Sequence, residues 1–410
     1  MIQSAQSVNT IQTRCCIVGG GPAGMMAGFL LARSGVEVVI LEKHKDFLRD
    51  FRGDTIHPST LQLLFELGLL DQFLQLPHQE LKAVQGTFDG QNVPIADFSH
   101  LPTVCKFVAF MPQWDFLNFL VEKAKQFPTF HLHLETEAID LLEENGAVVG
   151  VRATSPTGAL TIRADLVIGT DGRHSIIREK AGLVVQDFGV PIDVLWMRIP
   201  KSPELGEMSL GYLKAEKFMV LINRGDYYQC GYLIPKGQFE VIKQQGLKAL
   251  QASIRTLAPF EGYDVEALTS WDQISLLTVK IDRLKQWYKS GLLCIGDAAH
   301  AMSPAGGVGV NLAIQDAVAT ANQLTQSLQK GSVAVNELAQ IQRRRQWPVR
   351  VIQAGQILVH RRLAVGSTAK PTVFPPILAW LFRHVPLIRR LPAYLIGIGP
   401  RPEHIHTKPN

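Results

Sequence analysis

Residues 13–42 read TRCCIVGGGPAGMMAGFLLARSGVEVVILE, and the order of residue types in this stretch decides the fold class. Thr13 to Val18 is a short strand. Gly19 to Gly24 supplies glycines at the spacing Gly-x-Gly-x-x-Gly, and Pro22 to Arg33 is an apolar helix that Gly35 stops. Val36 to Leu41 is a second strand whose one charge is Glu37. Strand, glycine turn, helix and strand make a βαβ unit. Glycine is required at Gly19 for a tight turn, at Gly21 for close approach of a pyrophosphate, and at Gly24 for packing of helix on strand. Pro22 and Ala23 open the helix, where an anion meets free N–H groups at the positive end of the helix dipole. Glu42 lies eighteen residues past Gly24, at the end of the second strand. A carboxylate there accepts hydrogen bonds from a ribose 2′-OH, which favours an unphosphorylated ribose, as in FAD or NAD.

Outward from this unit, the chain of 410 residues exceeds what one core usually serves, so two domains are expected. With 46% hydrophobic and 19% charged residues it has the composition of a globular protein. Five scattered cysteines and the absence of a secretory leader point to reduced thiols and a cytoplasmic location. Pro58 opens an amphipathic helix that stops at Gly68, and Trp114 to Gln126 reads as another. His131–Leu134, Ala138–Leu142 and Val148–Ala153 read as a β-meander with a turn at 155–158. Between Val190 and Leu284 the runs VLWMRI, MSLGYL, FMVLI and YYQCGYLI predict an antiparallel sheet, covered by one helix over about 240–258. The expected architecture is α/β: a Rossmann-like cofactor domain (1–82, 103–189, 285–330), an inserted antiparallel-sheet substrate domain (83–102, 190–284), and a basic helical C-terminus (331–410).

Two further motifs belong to the first domain. In DLVIGTDGRHSIIR (165–178) a strand ends in Asp171-Gly172, at the carboxyl edge where open α/β sheets bind ligands, and Ser175 is a helix cap. Read alone, this is also an ordinary strand-turn-helix. In LLCIGDAAHAMSPAGGVGVNLAIQDA (292–317) a strand ends in Gly296-Asp297, where Asp297 can bond a polyol such as a ribityl chain. The segment Pro304, Gly306, Gly307 and Gly309 lets a flat ring approach the backbone and exposes N–H groups at a helix start, followed by Val310 and Asn311. Asp316, further along that helix, reads equally well as a surface residue.

The three motifs together resemble the flavoprotein aromatic hydroxylases related to p-hydroxybenzoate hydroxylase. The resemblance implies FAD held by all three motifs, with Lys43 beside Glu42, Arg52 of FRGDTIHP and Pro304 near the flavin, and Gln113 opening a helix beside it. It also implies NADH or NADPH as a transient co-substrate, since no second glycine fingerprint is present, and molecular oxygen as the oxidant. In the implied cycle the nicotinamide reduces FAD, and oxygen activated at the flavin C(4a) carbon passes to an electron-rich carbon of a bulky apolar substrate, aromatic or quinone-like. No residue is assigned as a general base, and neither a metal site nor a GxSxG nucleophile is expected.

The substrate pocket is expected between the inserted sheet and the flavin. His57, Trp196, Tyr212, Phe218, Tyr228 and Tyr232 are candidate lining residues, each with core packing as the plain alternative. A nucleic-acid partner is not expected, and the oligomeric state is open. From Leu338 to Pro402 there are eleven Lys or Arg and no Asp or Glu, so with a net charge of +5 the remainder carries 5 − 11 = −6. This basic segment either meets anionic lipid at a membrane surface or packs on the acidic remainder of its own chain. Two enzyme classes share the same cofactor motifs: flavin-dependent halogenases, whose Trp-x-Trp-x-Ile-Pro signature is absent, and reductases of polyprenyl or other lipophilic substrates.

Overall fold

A computed structural model describes residues 9–48, 54–201, 211–214, 217–258, 263–364 and 376–410. Arg52, the expected flavin neighbour, lies outside the described residues.

The first strand, Asn9–Val18, pairs in parallel with Val38–Leu41 on one side and Gly158–Gly169 on the other. Leu292–Cys294 adds in parallel beyond Gly158–Gly169, and Phe130–His133 adds in parallel beyond Val38–Leu41. The sheet's central strands bury both faces, which explains their uninterrupted runs of valine, isoleucine and leucine. Helices Pro22–Arg33 and Val308–Lys330 cover it. The strand at 130–133 corrects one expectation: it does not join the meander but closes the edge of the parallel sheet, reached by the crossover helix Gln113–Ala124. Its alternating HLH pattern is that of an edge strand with one wet face. The antiparallel pair Glu137–Glu144 and Ala147–Ser155 extends from the first half of the long strand Gly158–Gly169.

The second sheet has seven strands in the order Ile274–Leu277, Ile192–Pro200, Tyr227–Pro235, Lys217–Asn223, Gly211–Lys214, Ala83–Phe88, Gln91–Asp97. Ala83–Phe88 joins in parallel with Gly211–Lys214, so two distant segments build one sheet. The covering helix is broken into Phe239–Gln245 and Leu247–Leu257 at Gly246, whose φ of +90° no helical residue adopts. Leu250, Ile254 and Leu257 pack this helix onto one face of the sheet.

The C-terminal region begins with Val335–Ala364, which carries Pro348 within it. Helices Pro376–His384 and Arg390–Gly397 then lie against Gln91–Asp97, and the last residues return across the cofactor domain. Arg344 and Arg345 both pair with Glu403. Intrachain packing therefore accounts for part of the basic segment.

Candidate functional site

The glycine turn does what its spacing requires. Gly19 has φ +108°, and a Cβ there would sit 2.6 Å from Thr170 O. A Cβ on Gly24 would overlap the Gly19 carbonyl oxygen and lie 2.7 Å from Thr170 Oγ1. Gly21 differs: its Cβ direction meets nothing within 4 Å. The open side of the turn is therefore at Gly21, directly before a helix that has no side-chain cap and no acid in its first turn. No side chain takes the first N–H groups of this helix, which leaves its start suited to an anion. Glu42 is buried at the strand end, where Oε2 accepts from Gly20 N at 2.9 Å and Oε1 from His44 N at 3.0 Å. Lys43 is exposed and lies 4.0 Å from Glu137 Oε1.

Thr170, unmarked by any sequence motif, locks the turn from the neighbouring strand. Its hydroxyl lies 2.8 Å from Val18 O and 2.7 Å from Gly19 O. Asp171 follows at the sheet's carboxyl edge. One oxygen accepts from Ile177 N at 3.1 Å, while Oδ1 is buried with no protein partner. Burial raises the Asp171 pKa, opposed by the hydrogen bonds of Ser175, Ile177 and Ile176. Gly172, at φ +82°, has open space where a Cβ would be.

The third motif closes against the first. Gly296 has φ +60°, and its missing Cβ would lie 3.1 Å from Ala23 and 3.2 Å from Ala313. The first turn of Pro22–Arg33 and the first turns of Val308–Lys330 thus meet across Gly296. Asp297 stands beside them, 3.7 Å from Arg173 Nη2. Gly306 and Gly307 both have positive φ, and the helix at Val308 begins without a side-chain cap or an acid in its first turn. A Cβ on Gly309 would reach only Met302, at 3.6 Å. Pro304 is held from behind by the long C-terminal helix: Gln356 Oε1 accepts from Ser303 N at 3.1 Å, and its Nε2 donates to Ser303 O and Ala305 O at 3.0 Å. His360 Nε2 lies 2.6 Å from Ser303 Oγ, with burial pushing its ring down to about 4. These supports fall in the segment that the sequence marks only as basic.

Asn311 is buried and spans two helices. Its Oδ1 accepts from His57 N at 3.1 Å and Thr60 Oγ1 at 2.7 Å. His57 is buried too; since a carbonyl only accepts, its Nδ1 donates to Ile396 O, at 2.6 Å. Burial lowers the His57 pKa to about 4, so the ring is neutral at pH 7. Gln113 opens its helix as expected, next to the buried Asp54. Asp54 forms an ion pair with Arg224, in the turn between strands Lys217–Asn223 and Tyr227–Pro235, and Arg224 also reaches Gln229 Oε1 at 3.0 Å. This pair ties the segment before Pro58 to the seven-stranded sheet. The FRGDTIHP segment contained Asp54, yet a distant arginine could not be matched to it by sequence.

Strand alternation sorts the expected lining residues. Tyr212, Tyr228 and Tyr232 are buried with Leu195, Met197 and Ile254 beneath Leu247–Leu257. They occupy core positions on the face opposite Gln229, the plain alternative that strand alternation allowed for them. Trp196 and Phe218 alternate with Leu195, Met197 and Met219 and so lie on the Gln229 face, where the inserted sheet meets Asp54. Asp316 is also corrected from a surface residue: it is fully buried, with Oδ1 accepting from Arg345 Nε at 2.9 Å and Oδ2 from Gly296 N at 3.1 Å. His300 Nε2 lies 2.5 Å from the same Oδ2. Although burial raises its pKa, the His300 and Arg345 charges and hydrogen bonds bring Asp316 below the ordinary carboxylate range.

Two uncapped helix starts meeting across Gly296, three glycine positions open to a ligand and one unpartnered buried carboxylate oxygen fit an extended dinucleotide with a flat ring. Fold and site together define a flavoprotein of the dinucleotide-binding class. The comparisons narrow this. A family described as an FAD binding domain matches residues 12–353, and the chain belongs to this family of FAD-dependent aromatic hydroxylases. It is an FAD-dependent monooxygenase, with FAD as cofactor and a reduced nicotinamide nucleotide as co-substrate. It is 29% identical to a 6-methylpretetramide 4-monooxygenase of Streptomyces rimosus, over 93% of this chain and 90% of that one. It is 26% identical to an uncharacterized aromatic compound monooxygenase of Bacillus subtilis, where it spans 59% of the relative's length. The fold superposes on the crystal structure of p-nitrophenol 4-monooxygenase from Pseudomonas putida with a TM-score of 0.79, at 19% identity, covering 96% of this chain and all of that one.

Among the described residues no group of His, Cys, Asp and Glu could hold a metal ion.

Proposed function

We propose that this chain uses NADH or NADPH and molecular oxygen to hydroxylate a bulky, apolar, polycyclic aromatic or quinone-like small molecule. The observation that carries the cofactor half is the meeting of the Pro22 and Val308 helix starts across Gly296. FAD, when bound, supplies electron transfer and oxygen activation. The protein's part is positional. The Gly21 turn and Glu42 take the pyrophosphate and ribose, Asp297 the ribityl chain, and the N–H groups at Val308–Val310 favour negative charge on the ring. Asp171 offers its free oxygen to a hydroxyl. The Trp196–Phe218 face of the inserted sheet covers the substrate and keeps water from the reacting atoms. The similarity to a 6-methylpretetramide 4-monooxygenase supports a polycyclic substrate over a small phenol. Purified FAD-loaded protein is to be given NADH or NADPH with phenols, naphthoquinones and tetracyclic polyketides. Acceleration of nicotinamide oxidation by a tetracycle but not by simple phenols is expected; the reverse preference rejects the substrate class.

The C-terminal helices support a second part of the proposal, contact with anionic lipid. Both lie against Gln91–Asp97, and Ile377, Trp380 and Leu391 on the helices, with Leu387 in the short turn Pro386–Arg389 between them, are exposed by 55–72%. Arg383, His384, Arg389 and Arg390 accompany them with no acid in either helix. Apolar anchors among cations suit an anionic bilayer surface and oppose self-association of like charges. No helix among the described residues is long and apolar enough to cross a membrane. Flotation with phosphatidylglycerol vesicles, lost in phosphatidylcholine and in Trp380→Ser/Leu391→Ser, is the expected result; equal flotation with both lipids, or none, rejects the contact.

A further inference from the structure

We propose that the C-terminal tail, residues 401–410, is a strap that positions the Gly296–Asp297 turn for FAD, acting through the buried ion chain Glu403–Arg345–Asp316. The inference rests on FAD occupying the site described above.

Residues 402–410 form no helix or strand, and an irregular segment is ordered only where contacts repay the entropy. This segment is tied at almost every residue. Arg401 O accepts from Arg345 Nη1 at 3.0 Å, and Glu403 N donates to Gln315. Ile405 N donates to Glu66 Oε2 at 2.9 Å, and His406 N to Asn322 Oδ1 at 2.9 Å. Thr407 O accepts from Arg33 at 3.1 Å, Lys408 O from Ser34 Oγ at 2.9 Å, and Asn410 N donates to Arg33 O at 3.0 Å. The tail therefore touches Val308–Lys330, Pro58–Glu66 and Pro22–Arg33. Two of these helices begin at the cofactor site, and the third begins at His57.

The ion chain gives the strap a route to the turn. Glu403 is 2% exposed, Arg345 1% and Asp316 0%. Glu403 Oε1 accepts from Arg345 Nη1 at 3.1 Å, Arg345 Nε donates to Asp316 Oδ1, and Asp316 Oδ2 accepts the Gly296 N–H. Arg344 neutralises the outer end through Glu403, donating from Nε at 2.7 and 2.8 Å. Each buried charge has an opposite neighbour, so removing Glu403's charge leaves Arg345 free to pull on Asp316 differently. Gly296 lies between Ala23 and Ala313, where even an added Cβ would come within 3.1 and 3.2 Å of them, so a shift of the turn is passed to both helices. Glu403 and Arg345 are thus positioning residues, since they act on the cofactor through Asp316.

The test is FAD affinity of apoprotein, followed by flavin fluorescence, with the visible spectrum of bound flavin and the unfolding midpoint of apoprotein measured alongside. Glu403→Gln is expected to weaken FAD binding by about tenfold or more and to shift the flavin bands, with Glu403→Asp partly restoring both. A fall in the apoprotein midpoint with FAD affinity within about twofold of wild type and an unchanged spectrum would show general stabilisation only and overturn the proposal. If Glu403→Gln does not accumulate folded, Glu403→Asp alone carries the same test, since it keeps the charge but draws the carboxylate back from Arg345. Weaker FAD binding with shifted flavin bands in Glu403→Asp upholds the strap, and unchanged binding with an unchanged spectrum rejects it. Wild-type protein that binds no FAD would instead reject the cofactor assignment itself.

Discussion

Gly21→Ala separates the cofactor seat from the fold that builds it. Gly21 sits at φ −74° and ψ −176°, a conformation that alanine adopts freely, and nothing in the protein lies within 4 Å of the added Cβ. The apoprotein should therefore keep its stability or gain up to about 1 kcal/mol from the smaller entropy of the unfolded chain. The methyl group nonetheless enters the open space in front of the Pro22 helix, where we place the pyrophosphate. An overpacked methyl in a tight site costs about 1–3 kcal/mol, which is a loss of roughly 5-fold to 150-fold in FAD affinity. The assay pairs thermal unfolding of apoprotein with titration by FAD. An unchanged apoprotein midpoint with weakened FAD binding is expected. FAD affinity equal to wild type would refute the reasoning, since the open side of the turn would then not be where the anion sits.

Gly24→Ala should do the opposite: its Cβ overlaps the Gly19 carbonyl and crowds Thr170, both fixed by the sheet. The apoprotein itself should lose about 3 kcal/mol, read as a lowered urea midpoint. Arg224→Ala strands the mostly buried Asp54 carboxylate between the domains; chemical denaturation should report a loss of about 3 kcal/mol, with Asp54→Asn/Arg224→Ala recovering much of it. Mild acid should weaken the fold. His57 is held near 4 by burial, against about 6.5 when unfolded. Above the unfolded value both states are neutral and nothing is lost. As pH falls from about 6.5 to 4 the unfolded chain takes a proton that the folded chain refuses, so stability drops by up to about 3 kcal/mol and then levels off. His57→Asn should make that part of a stability-versus-pH curve shallower, the buried His360 keeping its own share, and an unaltered curve would show that His57 does not contribute to the loss.

The parts of the site that were legible in the sequence are those in which chemistry and spacing are local. Gly19, Gly21 and Gly24 each take a distinct role within one turn, and Gly296-Asp297 ends a strand beside them. What stayed hidden depends on partners far apart in the chain. Asp316 looked like a helix-surface residue because its arginine lies 29 positions away and that arginine's own partner at Glu403. Alternation along the inserted strands showed two faces, but only the docking of Leu247–Leu257 decides that Tyr212, Tyr228 and Tyr232 take the core face. The strand at 130–133 carried a two-residue alternation whether paired in a meander or at the edge of the parallel sheet, and the crossover before it settles which. Gln356 and His360 lay in a segment whose charge drew attention away from its polar residues, and these hold Ser303 and Ala305 around Pro304.

The central claim is that this chain inserts one atom of molecular oxygen into an aromatic substrate. Its most direct test is turnover of FAD-loaded protein under ¹⁸O₂ with NADH or NADPH and a tetracyclic aromatic acceptor, with the product weighed by mass spectrometry. Gain of a single ¹⁸O atom, with nicotinamide oxidation and oxygen uptake accelerated together, is the predicted result. Incorporation of oxygen from water, or acceptor reduction that proceeds in the absence of oxygen, would contradict it.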